Sequence, residues 1–342
     1  MAKDPGLAAD TCFFMEAVAG DGGAHNAGGV WWLSPDIKLV GPTSGPDKAD
    51  PGQTNTVTVQ FRRKTAASGC TSPFDENTDI ELWVGNPSLA MAPNNPASTF
   101  NVQKIGVPTP PEGSTTPVVI DWTPPQGLPA DDPQSHGHKC LIARCYPESL
   151  IPDDKSFHVP DDQHVAQHNI CIVPCDAPGQ KRRRGACGLR VTTLNLNEFE
   201  AEEVTLRAIA DLHPGDFVRR VVLSRLEKTP GFRRLAVRQP RSFRFEFADF
   251  PAAEVKDATR PAGCLPSLLG ISRPFGISRP FGASGPPSFE AKVSLRPGQL
   301  IHFNFGADLT GAALGDAYIF HLTQTGADGS PQGGLTVVMV AL

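Results

Sequence analysis

The stretch His136–Cys175, HGHKCLIARCYPESLIPDDKSFHVPDDQHVAQHNICIVPC, decides how this chain is read. It holds five of the nine histidines and four of the eight cysteines, together with two of the clearest apolar runs. In Lys139–Tyr146 one alternating set is Cys140, Ile142 and Arg144, and the other is Leu141, Ala143 and Cys145. In His168–Val173 the sets are His168, Ile170 and Ile172 against Asn169, Cys171 and Val173. Alternation with period two marks strands. The stretch is therefore either a metal or thiol site, or the last two strands of a β-sandwich that carry His and Cys. The second reading is preferred, because free cysteine packs as a small hydrophobe.

The chemical alternative has definite members. Imidazole and thiolate suit zinc, and the candidate ligands are His136, His138, Cys140, His168 and Cys171, with His138 and Cys140 on one strand face. His164 and His168 in HVAQH have the spacing of a helical zinc pair, but Val165 stands where an HExxH protease needs its glutamate. Asp153, Asp154, Asp161 and Asp162 offer oxygen ligands for calcium without EF-hand spacing. A thiol nucleophile needs a histidine partner and a lowered pKa, and Cys140, Cys145 and Cys171 all sit within expected strands. There is no GxSxG, no phosphate-binding P-loop and no GxGxxG opening a helix. The expectation is a chain with no catalytic residue and no cofactor, with zinc or calcium as the metal alternatives.

Working outward, the same alternation recurs. Thr54–Arg62 places Val57, Val59 and Phe61 on one side; Asp79–Val84 repeats it with Ile80, Leu82 and Val84; Thr116–Trp122 ends in Thr123-Pro124-Pro125. Val30–Ile37, VWWLSPDI, opens the ordered region, with Trp31 and Trp32 on opposite faces if it is a strand. Residues 1–29 read as an extension with a short helix over Leu7–Val18, and 176–188 as a linker containing KRRR at 181–184. Beyond it, Leu189–Leu194, Glu203–Leu212, Phe217–Lys228, Ser242–Phe247, Ser288–Leu295, Leu300–Phe305, Ala317–Thr323 and Gly334–Ala341 are expected strands, and RPGQ at 296–299 a hairpin-type turn. Phe217–Lys228 also fits helical spacing and is assigned to strand by its surroundings. The fold class is all-β: two antiparallel Ig-like β-sandwich domains in tandem, 30–175 and 189–342, with long Pro/Gly-rich loops.

Specific residues carry a resemblance. SPDI, the alternating valines, DIELWV, a strand ending in DWTPP, HGHKCLIAR and DDQHVAQHNICIV together resemble a bacterial adhesion-related Ig-like module of the CARDB type over about residues 30–175. The resemblance implies a seven-stranded sandwich without a catalytic site, of a kind common in secreted or surface proteins. FHLTQT…GGLTVVMV resembles the closing hairpin of a second Ig-like sandwich.

Composition narrows the function. Thirty-four prolines and 33 glycines break helices and favour short strands joined by turns. A net charge of -5 and a pI of about 6.0 give no drive toward nucleic acid or anionic membrane. No apolar run reaches the roughly 18 residues of a membrane helix. MAKDPGLAADTCFFMEAVAG is a poor signal peptide, so the compartment stays open between the surface implied by the resemblance and the missing leader. Eight irregularly spaced cysteines do not read as a disulfide scaffold.

The expected role is a non-catalytic structural or interaction protein: adhesion, surface assembly or a subunit of a larger particle, binding a protein partner or itself through loops and edge strands. The repeated GISRPF at 270–281 offers Arg273, Phe275, Arg279 and Phe281 as interface anchors. Two alternatives stand beside this reading. One is a metal-dependent or thiol hydrolase using the His/Cys cluster; the other is a carbohydrate-binding module stacking sugars on Trp31, Trp32 or Trp83.

Overall fold

The computed structural model describes residues 4–25, 29–70, 77–129, 132–135, 139–175, 186–236, 240, 242–246, 255–256, 288–309 and 311–342. The expected linker motif at 181–184 and the GISRPF repeat lie outside them. The described residues are all-β apart from one α-helix and a single 3-10 turn. They form two compact units: Met1–Cys171 with Ser330–Thr336, and Ile172–Gly329 with Val337–Leu342.

In the first unit, β1 (Phe13–Phe14), β2 (Ile37–Gly41), β3 (Gly45–Pro46), β4 (Asn55–Arg63) and β7 (Thr115–Trp122) make one antiparallel sheet. Strand β4 is its centre, pairing Val59 with Ile37 of β2 and Val57 with Ile120 of β7. The other sheet brings together β5 (Thr78–Gly85), β6 (Phe100–Val107), β8 (Cys140–Pro147) and β9 (Val165–Cys175), in the order β9-β8-β5-β6. Val57, Val59 and Phe61 meet Ile80, Leu82, Val84, Leu141, Ala143 and Cys145 in one apolar core. The alternation in the sequence thus selects the core face of each strand correctly.

Strand β8 differs from its neighbours because every residue in it is buried. One side faces the core. The other side is covered by chain whose register the sequence does not announce, including the buried Asp4 and Phe157 beside Arg144. Residues 4–25 are therefore part of the folded unit rather than a free extension. Phe13 and Met15 join the core, and the expected helix over Leu7–Val18 is replaced by the short strand β1 paired with Arg62 and Arg63. Trp31 and Trp32 do not alternate on a strand either. They lie in a turn, both buried, packed edge to face at 5.3 Å.

The second unit contains β10 (Ala186–Leu194), β11 (Glu202–Asp211), α1 (Asp216–Leu226), β12 (Arg234–Leu235), β13 (Ser242–Glu246), β14 (Val255–Lys256), β15 (Ser288–Leu295), β16 (Leu300–Asp308) and β17 (Asp316–Thr325). One sheet has the order β10-β16-β13; the other runs β14-β15-β11-β17, and β17 then bonds to β18 (Pro331–Ala341). Phe245 anchors the core, with ring centroids 4.9 Å from Phe289, 5.0 Å from Phe303 and 5.9 Å from Phe305. RPGQ is a turn, but β15 and β16 belong to different sheets, so it crosses between layers instead of closing a hairpin.

The helix α1, Asp216–Leu226, takes the place of the strand expected over Phe217–Lys228. Val218, Val222 and Leu226 recur every four residues on its buried side, and Gly215 with Asp216 starts it. An acidic residue in the first turn complements the exposed N–H groups there.

Among the described residues four cysteines are paired, Cys12–Cys70 and Cys175–Cys187, a pairing that the irregular cysteine spacing left open. The first bridge closes 58 residues and ties the N-terminal segment to the chain after β4. Closing a loop of that size restricts the unfolded chain by about 4 kcal/mol. Replacing both partners, Cys12→Ser with Cys70→Ser, should lower the unfolding free energy by about that amount in a urea titration, with the native strand content by circular dichroism unchanged.

Candidate functional site

The His/Cys stretch that invites a chemical reading lies on β8, β9 and the loop between them. Of the candidate ligands, His136 and His138 fall outside the described residues. Cys140 is fully buried, and its sulfur accepts a hydrogen bond from Gln167 Nε2 at 3.3 Å. Cys171 is buried too. Burial pushes the Cys140 thiol up to about 12 and the Cys171 thiol higher still. Cys145 is raised by burial and then by the charges of Asp10 and Asp162. A thiolate is the nucleophile and the metal ligand, so none of these three environments favours the reactive form.

His168 is tied on both sides of its ring. Nδ1 lies 3.0 Å from the Ser34 carbonyl and Nε2 3.0 Å from Asp47 Oδ1. His25 is held the same way, by the carbonyls of Pro160 and Met15. Among the described residues, no group of three or more His, Cys, Asp or Glu side chains converges as a metal site. Trp31 and Trp32 present no ring to a sugar; the Trp32 indole N–H donates to Thr336 Oγ1 at 3.0 Å. The anchors Arg273, Phe275, Arg279 and Phe281 lie outside the described residues.

The structure does assemble a charged cluster, around a residue the sequence offers only as a zinc candidate. His164 sits between two buried carboxylates, with Nδ1 2.5 Å from Asp162 Oδ1 and Nε2 3.2 Å from Asp10 Oδ2. Burial alone would depress its pKa, but the hydrogen bonds to Asp10 and Asp162 outweigh it and hold the imidazole at about 9. Asp162 also accepts from the Asp4 N–H, and His164 in return keeps its carboxyl below the usual range against the cost of burial. At neutral pH His164 is a buried cation and cannot serve as a general base.

A second cluster lies on the covered side of β8. Arg144 donates from Nε and Nη2 to Glu81 Oε2 at 2.9 and 2.6 Å, and from Nη1 to the Asp153 carbonyl at 2.7 Å. Tyr146 donates to the other Glu81 oxygen at 2.9 Å. Burial, followed by the Glu81 charge, pushes the Tyr146 phenol up to about 12. Glu81 and Arg144 are register partners on neighbouring strands, which a strand pairing chart can show once β5 and β8 are aligned.

An open pocket of about 420 Å³ lies apart from both clusters, lined by Phe14, Arg62, Arg63, Lys64, Thr65 and Ser114 among others. Arg62 pairs with Asp36 and Glu16, Lys64 donates to Gln163, and Arg63 donates from Nη1 to the Pro110 carbonyl. None of the expected site residues lines it.

No known family model matches the chain, and no curated protein matches it. Among solved structures it is similar to the collagen adhesin of S. aureus, at 7% identity over 89% of this chain and 93% of that one, with a TM-score of 0.21. The BSP domain of a biofilm-associated protein overlaps at 6% identity over 86% of this chain and 57% of that one, TM-score 0.24. A red sea bream transglutaminase overlaps at 8% identity over 89% of this chain and 30% of that one, TM-score 0.19. Scores this low do not reach a shared fold, and the architecture rests on the chain's own strand pairing.

The His164 cluster makes a pH prediction. Its folded pKa lies above its ordinary 6.5, so its contribution is complete below pH 6.5 and is lost as pH climbs through about 9. A tenfold change in proton affinity corresponds to about 1.4 kcal/mol, which sets a scale of ~3 kcal/mol for this histidine. The stability difference between wild type and His164→Gln should therefore be largest in mild acid and shrink toward pH 9 in urea titrations. A difference that does not change across this range would show that His164 is not charged in the folded state.

Proposed function

We propose that this protein is a non-catalytic binding and assembly protein of the adhesion-related kind that its CARDB-like residues suggest. The observation that supports this reading most is how its reactive side chains are used. His25, His164 and His168 have both ring nitrogens bound to carbonyls or carboxylates, and Cys140, Cys145 and Cys171 are sealed in the interior. The described members of the His/Cys cluster serve the interior of the fold.

Binding is then assigned to the edge that the fold leaves open. Strand β6 ends its sheet, and none of its residues is fully buried; Phe100 is 39% exposed. An edge strand offers unpaired backbone donors and acceptors to a strand from another chain. Its occupant in this proposal is a second copy of the chain or an extended segment of a protein partner.

Light scattering across a concentration series, with imaging of any large species, tests the assembly form of the proposal. Wild type should associate as concentration rises, and Phe100→Lys with Gln103→Lys, both at exposed positions of β6, should weaken association about tenfold or more by placing charge on the edge. A wild-type chain that remains strictly monomeric at high concentration would overturn assembly. Stoichiometric zinc in the purified protein, lost in Cys140→Ser, would instead favour the metallohydrolase alternative.

A further inference from the structure

Lys139 is an unusual lysine. Its side chain lies in the interior with 2% of its surface exposed, although lysines are almost never fully buried unless paired with a carboxylate. Its Nζ contacts are of another kind. It donates to the Pro133 carbonyl at 3.2 Å and to Asn86 Oδ1 at 3.5 Å, and it stands 5.9 Å from the centre of the Trp122 ring. Burial drives the amine down to about 7, opposed only by the charge of Asp132. Near neutral pH a large share of Lys139 is therefore the uncharged amine, the form that acts as a nucleophile.

The strand register places the electrophile. Gly85 of β5 and Cys140 of β8 are the last paired residues of their ladder. Asn86 and Lys139 are the next residue on each strand, so their side chains meet just beyond the paired region. The carboxamide is fixed from its other side as well. Asn86 Nδ2 donates to the Asp132 carbonyl at 2.7 Å. The short segment that supplies this carbonyl is itself braced, because the Gln134 N–H donates to Asp132 Oδ1 at 2.8 Å and Trp122 Nε1 donates to Gln134 Oε1 at 3.3 Å. A buried amine and an amide held beside it gain a large effective concentration over the same groups in solution.

We propose that Lys139 and Asn86 become joined by an intramolecular isopeptide bond. The Nζ lone pair attacks Asn86 Cγ, forming the new C–N bond and a tetrahedral centre. One Nζ proton passes to Nδ2, with the Asp132 carboxylate, whose charge acts on Lys139, as the relaying base. The Cγ–Nδ2 bond then breaks and ammonia leaves. A primary amine and a primary amide become one secondary amide and ammonia, and no oxidant or reductant is needed. The competing loss of ammonia at this asparagine, attack by the following backbone nitrogen, is blocked because residue 87 is proline and has no N–H. The product ties the end of β5 to the start of β8 covalently.

Mass spectrometry of the purified full chain, after reduction of its disulfides, tests this directly. The expected mass is that of the sequence less one ammonia, and a tryptic digest should contain a linked peptide spanning Lys139 and Asn86, with no cleavage after Lys139. Lys139→Met and Asn86→Ala should each show the full mass of their own sequences. A wild-type chain at full sequence mass would overturn the proposal. So would an ammonia deficit that persists in Lys139→Met, since it would have to arise elsewhere in the chain. The wild-type measurement decides the matter even if a variant fails to fold.

Discussion

Strand β8 has no face left for water. A strand usually offers alternate side chains to a core and to solvent, but in this unit the second set is enclosed as well. That constraint governs much of what surrounds it. Arg144 points away from the apolar core, so its charge has to be answered inside the protein, and Glu81 on the neighbouring strand answers it. Tyr146 closes the second oxygen of the same carboxylate. The chain that covers this side brings polar groups of its own: Asp4 accepts from the Asp153 N–H, and Asp153 supplies a carbonyl to Arg144. Without that covering chain, Arg144, Glu81 and Tyr146 would face water, and the strand would have one face fewer to pack.

The same enclosure changes what the reactive residues are. Cysteine and histidine are versatile where water and substrate can reach them. Here the thiols sit in surroundings that penalise their anions, while one histidine is held as a cation by two carboxylates. A buried ion pair is a weak source of net stability but a demanding one geometrically, since removing either partner strands the other. Asp10 and Asp162 reach His164 from opposite ends of the first unit's sequence, so the cluster also fixes where the N-terminal segment lies.

Much of the architecture was legible because strand alternation is a local signal. Val57, Val59 and Phe61, or Leu141, Ala143 and Cys145, can be sorted to the core from the residues alone. The helix Asp216–Leu226 was misread because FVRRVVLSRL mixes both periods, and its strand-rich surroundings were given more weight than the four-residue recurrence of Val218, Val222 and Leu226. Strand β6 is hard to see although FNVQKIGV holds Phe100, Val102, Ile105 and Val107, because the adjacent Gln103 and Lys104 shift the phase of the two-residue alternation midway. The functional groups were harder. Nothing near His164 in sequence names Asp10, and nothing near Cys12 names Cys70, because both pairings span long stretches of chain. Lys139 looked ordinary beside the histidines and cysteines around it; only its burial sets it apart.

The makeup of the first unit bears on how the protein is born. Residues 330–336 belong to it, although they follow the greater part of the second unit in the chain. Asn169 donates to the Gly334 carbonyl, the Trp32 indole to Thr336, and the Trp32 ring leaves no room for a side chain at Gly334. A ribosome adds about 5–20 residues per second. The first 171 residues therefore wait on the order of ten seconds or more for the segment that finishes them, with Trp32 and Asn169 lacking their last partners. Vectorial synthesis cannot complete this protein one unit at a time.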